Sequence, residues 1–467
     1  MQSQSLQPPL SEASMASRKV RREKTPDLLK FFHVNPKFWP YEPQIDQLVM
    51  EIINPHDRDL FPGVAMAVRV NQQLVHLRCY GYANIETRER ISPDTVFDLG
   101  SLSKQFTALA ILNLVINKQI DLNDHLSKYF KRLPRYADSI TIEDLLHHTS
   151  ALPSYTDIYV ASRRANEDWY DRALAKPDHW YPQMDLRRKR EITNKDVIQW
   201  IATQKLLPRA PDAEFEYSNS GYVILAELVT KVTGQRFSEY VKSNLFNEVG
   251  MKDTYVFDEA SRFPAGARQI VNHAKCYNRV DGRFVPVGYT RLNYITGDGN
   301  VHSTIKDLLR WELGLSMLDL LGLCDPEEAK KQGEGFNIRE ILWSPVLIKK
   351  GKHVNYGAGW NLRRDKYKKT VEGKNGPVTT TYETRAEYHR GEWLGWRNYF
   401  ARGSRWPVPK PGKNVDPRKV ESLGIIVLSN ADFGDKQFTT CRIAQEISRL
   451  YWGRWKKDNI MNNLNCR

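Results

Sequence analysis

The chain has 467 residues, 41% hydrophobic and 27% charged, with 12 Trp, 22 Tyr and 17 Phe. This composition excludes collagen, coiled-coil and wholly disordered classes, and the length suits two domains or one large composite one. Lys and Arg number 69 against 55 Asp and Glu, a net charge of +14, which permits a polyanionic partner without requiring one.

Residues 1 to about 35 are polar and then basic (Arg18, Lys19, Arg21, Arg22, Lys24), without the apolar core of a signal peptide. No periodicity runs through them, and they read as a disordered tail. Gly63 to Val70 and Gln73 to Cys79 read as strands joined by a turn at Asn71–Gln72. From Ser103 to Lys118 apolar residues recur at helical spacing (Phe106, Leu109, Ala110, Leu112, Leu114, Val115), which predicts a mostly buried helix. The middle of the chain stays helical: Ile142 to His147 capped by Thr141, Val197 to Thr203 after Asn194, Gly221 to Val232 ended by Thr233–Gly234, and Ser238 to Phe246. Ser154 to Arg190, Lys366 to Pro377 and Arg402 to Lys419 read as inserted or surface loops. Strand character returns at Glu387 to Phe400 and Leu423 to Leu428, and Gln437 to Tyr451 reads as the last helix. The expected fold is α/β (α+β): one antiparallel sheet built from both chain ends (about 40–110 and 330–450), flanked by helices, with an all-α domain (about 111–325) inserted. This unit spans 36–450, followed by a basic C-terminal tail, 451–467.

Five scattered cysteines (Cys79, Cys276, Cys324, Cys441, Cys466) with no C-x-x-C argue against a disulfide scaffold or zinc knuckle and for a reducing compartment. The longest apolar stretch, Thr107 to Ile116, is too short to span a bilayer, so the expectation is a soluble cytoplasmic protein. No G-x-S-x-G, H-E-x-x-H, Walker A or G-x-G-x-x-G occurs, which removes the enzyme classes built on them. His147–His148, with Glu143 and Asp144 one turn earlier, lack a further ligand cluster; no metal and no cofactor is expected.

Ser101-Leu102-Ser103-Lys104 stands directly before the buried helix. Positions i and i+3 share a helix face, so Lys104 can lie over Ser101, at a helix N-terminus that favours developing negative charge. A serine hydroxyl needs a base, and lysine can serve when its environment favours the neutral amine. A second S-x-x-K, Ser303 to Lys306, reads as an ordinary helix start. Tyr217-Ser218-Asn219 lies between two central helices, where a phenol can relay a proton and an amide can bind Lys104 or substrate; Tyr82-Ala83-Asn84 fits the same pattern. His389-Arg390-Gly391 lies on a late strand, where a glycine lets a ligand's backbone come close, and the N–H of Glu392 can join that of Ser101 as an oxyanion hole.

The ordered set S-x-x-K, Y-x-N and H-x-G resembles the signatures of the serine β-lactamase / penicillin-binding-protein family. FDLGSLSKQFTALAIL (97–112), TIEDLLHHTSALP (141–153), FEYSNSGYVILAELVTKVTG (215–234), TGDGNVHSTIKDLLRW (296–311), YGAGW (356–360) and YHRGEWLGWRNYF (388–400) are similar to its class-C-like branch of β-lactamase-related serine hydrolases. The resemblance covers about residues 45 to 450. It implies Ser101 as acylated nucleophile, Lys104 as its base, Tyr217 as proton relay, and Asn219, His389, Gly391 and Glu392 as substrate-binding positions, with Val301 to Leu308 a supporting helix.

Two departures stand out. His-Arg-Gly replaces the usual Lys-Thr-Gly, and the other K-x-G triplets (Lys331–Gly333, Lys349–Gly351, Lys374–Gly376, Lys410–Gly412) lie in segments that do not read as strands. Ala151 replaces a glycine and is expected to stiffen its loop. The resulting expectation is hydrolysis of a small-molecule ester or amide through an acyl-enzyme, with an acyltransferase, a β-lactamase or D-peptidase, or a non-catalytic binding member as alternatives. The basic runs Arg187–Arg190, Lys366–Lys369 and Arg454–Lys457 lie away from the motifs, so no nucleic acid is required; the substrate and oligomeric state are left open.

Overall fold

A computed structural model describes residues 42–54, 59–71, 73–157, 192–258, 272–287, 291–316, 338–373, 376–409, 420–434 and 439–452. The tails and the stretch 158–191, which includes most of the expected insertion and the Arg187–Arg190 run, lie outside the described residues.

Six strands form one sheet: β1 (Val64–Val70), β2 (Gln73–Tyr80), β3 (Asn361–Gly373), β4 (Gly376–Trp393), β5 (Trp396–Pro407) and β6 (Glu421–Ser429). Their order is β3-β4-β5-β6-β1-β2 and every pairing is antiparallel. Both chain ends therefore meet in one sheet, β1 against β6, as the strand distribution predicts.

Strand periodicity explains how the sheet is covered on both faces. In β1, Val64, Met66 and Val68 belong to one buried cluster with helices α1 (Glu42–Ile53) and the C-terminal Thr439–Trp452. The alternating Ala65 and Ala67 belong to the other cluster, which holds helices α2 (Lys104–Ile116) and Ile305–Ser316. In β6, Leu423, Ile425 and Val427 face the first cluster, Ile426 and Leu428 the second. A strand buried on both faces reads as a continuous apolar run, which is why GVAMAVRV and LGIIVL lack polar alternation.

Helix α2 is the centre of the second cluster. Phe106, Leu109, Ile111, Leu112 and Leu114 are all fully buried, each contributing roughly 1.5–3 kcal/mol of burial. A helix held this way gives the residues at its N-terminus little freedom. Two further helices take part in the site. Helix α3 (Ile142–Leu146) starts at a capping box between Thr141 and Asp144, a device that contributes about 1 kcal/mol. Helix α4 (Asn219–Thr233) ends at Gly234, whose φ of 72° is the left-handed terminator a glycine supplies.

The structure corrects several expectations. Lys366 to Pro377 is not a loop: β3 and β4 run through it as a hairpin. Lys366, Lys368 and Thr370 on β3 and Val378 and Thr379 on β4 are exposed, so these positions carry no alternation of buried and exposed residues. The Lys366–Lys369 run consequently lies on the sheet's edge strand. Glu387 to Phe400 is two strands, not one, with the turn at Leu394–Gly395, and Arg402 to Pro407 continues β5. The inserted part is not purely helical, since strands Tyr255–Val256, Cys276–Val280, Arg283–Val287 and Val301–Ser303 accompany its helices. Val301 to Leu308 is thus a strand followed by a helix start. Cys79 and Cys276 are free thiols, but Cys441 is disulfide-bonded, which the argument from scattered cysteines for a reducing compartment does not foresee. Among the described residues no helix is long and apolar enough to cross a membrane.

Ala151 does more than stiffen its loop. It is buried and holds φ 57°, the left-handed region that costs a residue with a Cβ roughly 1–2 kcal/mol.

Candidate active site

Ser101 sits in a 3-10 turn, Gly100–Ser103, that runs directly into α2. Two side chains shape this entry. The Gly100 N–H donates to Asp98 Oδ1 at 2.9 Å, and Asn398 Nδ2 donates to the Asp98 carbonyl at 2.8 Å. Gly100 itself has φ 53°, and a Cβ there would fall 2.7 Å from Glu392 N. Gly391 is equally constrained, because its Cβ would fall 1.9 Å from the Leu99 carbonyl oxygen. Glycines at both positions therefore let the end of β4 lie backbone to backbone against the turn that carries Ser101. Glu392 N consequently lies against Gly100, the residue that precedes Ser101.

Lys104 is fully buried. Its Nζ meets Ser101 Oγ at 3.1 Å, Asn219 Oδ1 at 2.6 Å and the Asp298 carbonyl at 2.8 Å. The spacing of three therefore does bring Ser101 and Lys104 together, as the helical geometry requires. The Tyr217 ring centroid lies 5.0 Å from the same nitrogen, and Asn219 opens α4, so the second motif meets the first across the helix termini.

The alternative motif copies are separated by the fold. Lys306 Nζ donates to Asp94 Oδ1 at 2.5 Å, while Ser303 Oγ is 2.7 Å from Thr254 Oγ1. Tyr82 stacks under Arg90, and Asn84 Oδ1 accepts from Glu86 N and Thr87 N in a turn.

His389 is buried on β4 opposite Phe400. Its Nδ1–H donates to the Arg390 carbonyl at 2.6 Å, which leaves Nε2 to accept the Tyr356 hydroxyl at 3.1 Å. Burial first, and then the charge of Lys104, lowers its pKa to about 3, so the ring is neutral at ordinary pH. Arg390 pairs in register with Tyr399, whose side chain belongs to the cluster on the opposite face of the sheet. Its strand position thus turns it away from Lys104.

Sequence reasoning missed several residues here. His148 follows α3 with φ 58° rather than continuing the helix. It accepts the Ser218 N–H at 3.1 Å and packs on the Tyr217 ring with centroids 4.2 Å apart. Burial and the nearby Lys104 hold its pKa well below the usual imidazole value. Its neighbour His147 instead bonds the Tyr356 carbonyl, at 3.2 Å through Nδ1. Tyr356 and Asp298 come from YGAGW and TGDGN, segments noted only as flanks. Ser154, Tyr155 and Thr156 fall in a segment whose sequence reads as an insertion, yet they bond Asn219 and Asp298. Asp298 is buried, and burial raises its carboxyl pKa to about 6.

The antiparallel sheet, the buried helix and the serine–lysine pair at its start define the fold of the penicillin-binding and β-lactamase class of serine hydrolases. A family model described as Beta-lactamase matches residues 51–447, and the chain belongs to that family. It is 26% identical over 343 residues to penicillin-binding protein 4* of Bacillus subtilis, covering 72% of this chain and 67% of the relative. It is 28% identical over 222 residues to protein flp of Staphylococcus aureus, covering 44% of this chain and 38% of that protein, so it spans well under half of that relative. Among solved structures, the octameric penicillin-binding protein homologue from Pyrococcus abyssi superposes with TM-score 0.59 at 22% identity, covering 88% of this chain and 77% of that one. The D-amino acid amidase from Ochrobactrum anthropi SV3 superposes with TM-score 0.56 at 19% identity, covering 87% and 97%.

Proposed function

We propose that this protein hydrolyses a small ester or amide through an acyl-enzyme on Ser101. The observation that carries the reading is the buried Lys104 amine, 3.1 Å from Ser101 Oγ and 2.6 Å from Asn219 Oδ1, with Tyr217 over it. In the reaction, Ser101 Oγ attacks the substrate carbonyl and Lys104 takes the hydroxyl proton. The oxyanion that forms is received by the N–H groups of Ser101 and Glu392. The proton passes to the leaving group by way of Tyr217, which bonds the departing oxygen or nitrogen as it separates. A water then attacks the acyl-enzyme, with the same pair handling its proton, and the acid is released. No cofactor or metal is called for by these steps.

The third motif bears on substrate choice. Both ring nitrogens of His389 are engaged by Arg390 and Tyr356, and the ring carries no charge, so this position offers no cation to a substrate carboxylate. Burying an unpaired carboxylate is costly. Short-chain p-nitrophenyl esters are therefore expected to turn over with higher kcat/KM than nitrocefin. Nitrocefin turnover of about 10⁷–10⁸ M⁻¹s⁻¹, near the diffusional ceiling, would instead require a carboxylate contact elsewhere and a lactamase role.

A further inference from the structure

A ring of hydrogen bonds, closed through the backbone of residues 154–156, surrounds Lys104, and its outer half comes from residues with no part in the chemistry described above. An ammonium only donates, so Asn219 must turn Oδ1 toward Lys104. Its Nδ2 then faces Thr156 Oγ1, which accepts at 2.7 Å. The Thr156 hydroxyl proton is thereby free to go to Ser154 Oγ, 2.9 Å away. Ser154 Oγ also accepts the Asn219 N–H at 3.1 Å, so the serine and the threonine grip both the backbone and the amide of Asn219. Between them, the Tyr155 N–H donates to Ser220 Oγ at 3.0 Å, and the Tyr155 hydroxyl donates to Asp298 Oδ2 at 2.8 Å. Asp298 closes the ring, because its carbonyl is the other fixed acceptor of Lys104, at 2.8 Å.

We propose that Ser154, Tyr155 and Thr156 form a positioning clamp that fixes two of the three acceptors of Lys104 and so keeps its third direction on Ser101 Oγ. As an ammonium Lys104 directs its three N–H groups at Asn219 Oδ1, the Asp298 carbonyl and Ser101 Oγ; to act as base it must give one up, keeping two N–H groups and one lone pair. With Asn219 Oδ1 and the Asp298 carbonyl held in place, the two N–H groups are committed, and the remaining direction is that of Ser101 Oγ. Without the Thr156 oxygen the Asn219 amide is free to rotate by half a turn. Its NH₂ group would then face Lys104 and draw the lone pair away from the serine. The three act on Lys104 through Asn219 and Asp298, so they are positioning residues.

This inference rests on the proposed roles of Ser101 and Lys104, and one assay separates the two. The rate of Ser101 labelling by a fluorophosphonate probe, followed by intact-protein mass spectrometry, reports on the nucleophile without a known substrate. Thr156→Val keeps the shape and removes the oxygen; it is expected to slow labelling about 10–100-fold, less than the 10²–10⁴-fold worth of the general base itself. With p-nitrophenyl butyrate the loss should fall on kcat, leaving KM within about twofold, as for an interaction that acts on the chemical step. Thr156→Ser, which restores the oxygen, should recover most of the rate. Tyr155→Phe, which cuts the bond to Asp298 but leaves the ring, should also lower kcat and provides an independent variant if Thr156→Val fails to fold. Wild-type labelling rates in both Thr156→Val and Tyr155→Phe would overturn the clamp, as would a Thr156→Ser protein as slow as Thr156→Val. A wild-type protein that does not label at Ser101 would overturn the underlying reading instead.

Discussion

Replacing Lys104 by arginine is expected to lower kcat/KM for an ester substrate by about 10²–10⁴-fold, the usual worth of a general base. Arginine stays protonated at any pH the protein survives, so it cannot take the Ser101 proton. Its planar fork also cannot place donors on Ser101 Oγ, Asn219 Oδ1 and the Asp298 carbonyl in the arrangement the lysine nitrogen makes. Steady-state kinetics with p-nitrophenyl butyrate check this directly. Because Lys104 and Tyr217 act on one proton, Tyr217→Phe combined with Lys104→Arg should cost little more than the worse single change. An arginine variant with clear activity would remove Lys104 from the role of base.

Gly391→Ala is expected to have the next largest effect. The added Cβ would meet the Leu99 carbonyl oxygen at 1.9 Å. That neighbour is backbone, so the end of β4 or the turn before Ser101 has to move. Either movement parts the Glu392 and Ser101 N–H groups. Loss of one oxyanion donor lowers kcat about 10²–10³-fold in comparable sites, and a similar loss is expected here, accompanied by a lower melting temperature. Kinetics and thermal melting of the same preparation check it. Wild-type kcat would mean that the strand end does not shape the oxyanion position.

The parts of this molecule legible in its sequence are those set by short-range periodicity. Ser101 and Lys104 are three residues apart at the start of a helix whose apolar residues repeat, so their meeting follows from helix geometry. The strands β1 and β6 are visible because both faces are buried and the run is apolar. The β3–β4 hairpin was hidden because its outer part has no buried face to print an alternation. Thr156, Tyr155 and Asp298 were hidden for another reason. Thr156 meets Asn219 across 63 positions and Asp298 meets Lys104 across 194, and no local pattern records contacts at that distance. The third motif was placed on its strand correctly, but the neutrality of His389 depends on burial and on Tyr356, which only the fold supplies. Ala151 illustrates the limit from the other side: the residue is plain in the sequence, whereas its left-handed backbone is not.

The central claim is that Ser101 is the nucleophile, and mapping a covalent fluorophosphonate adduct tests it most directly. Trypsin releases Ser101 in the peptide 91–104, which also holds Ser92 and Ser103, so fragment ions can assign the modified residue. The account predicts one adduct, on Ser101, that disappears in Ser101→Ala while the variant keeps its melting behaviour. An adduct on Ser303, or one that persists in Ser101→Ala, would contradict it.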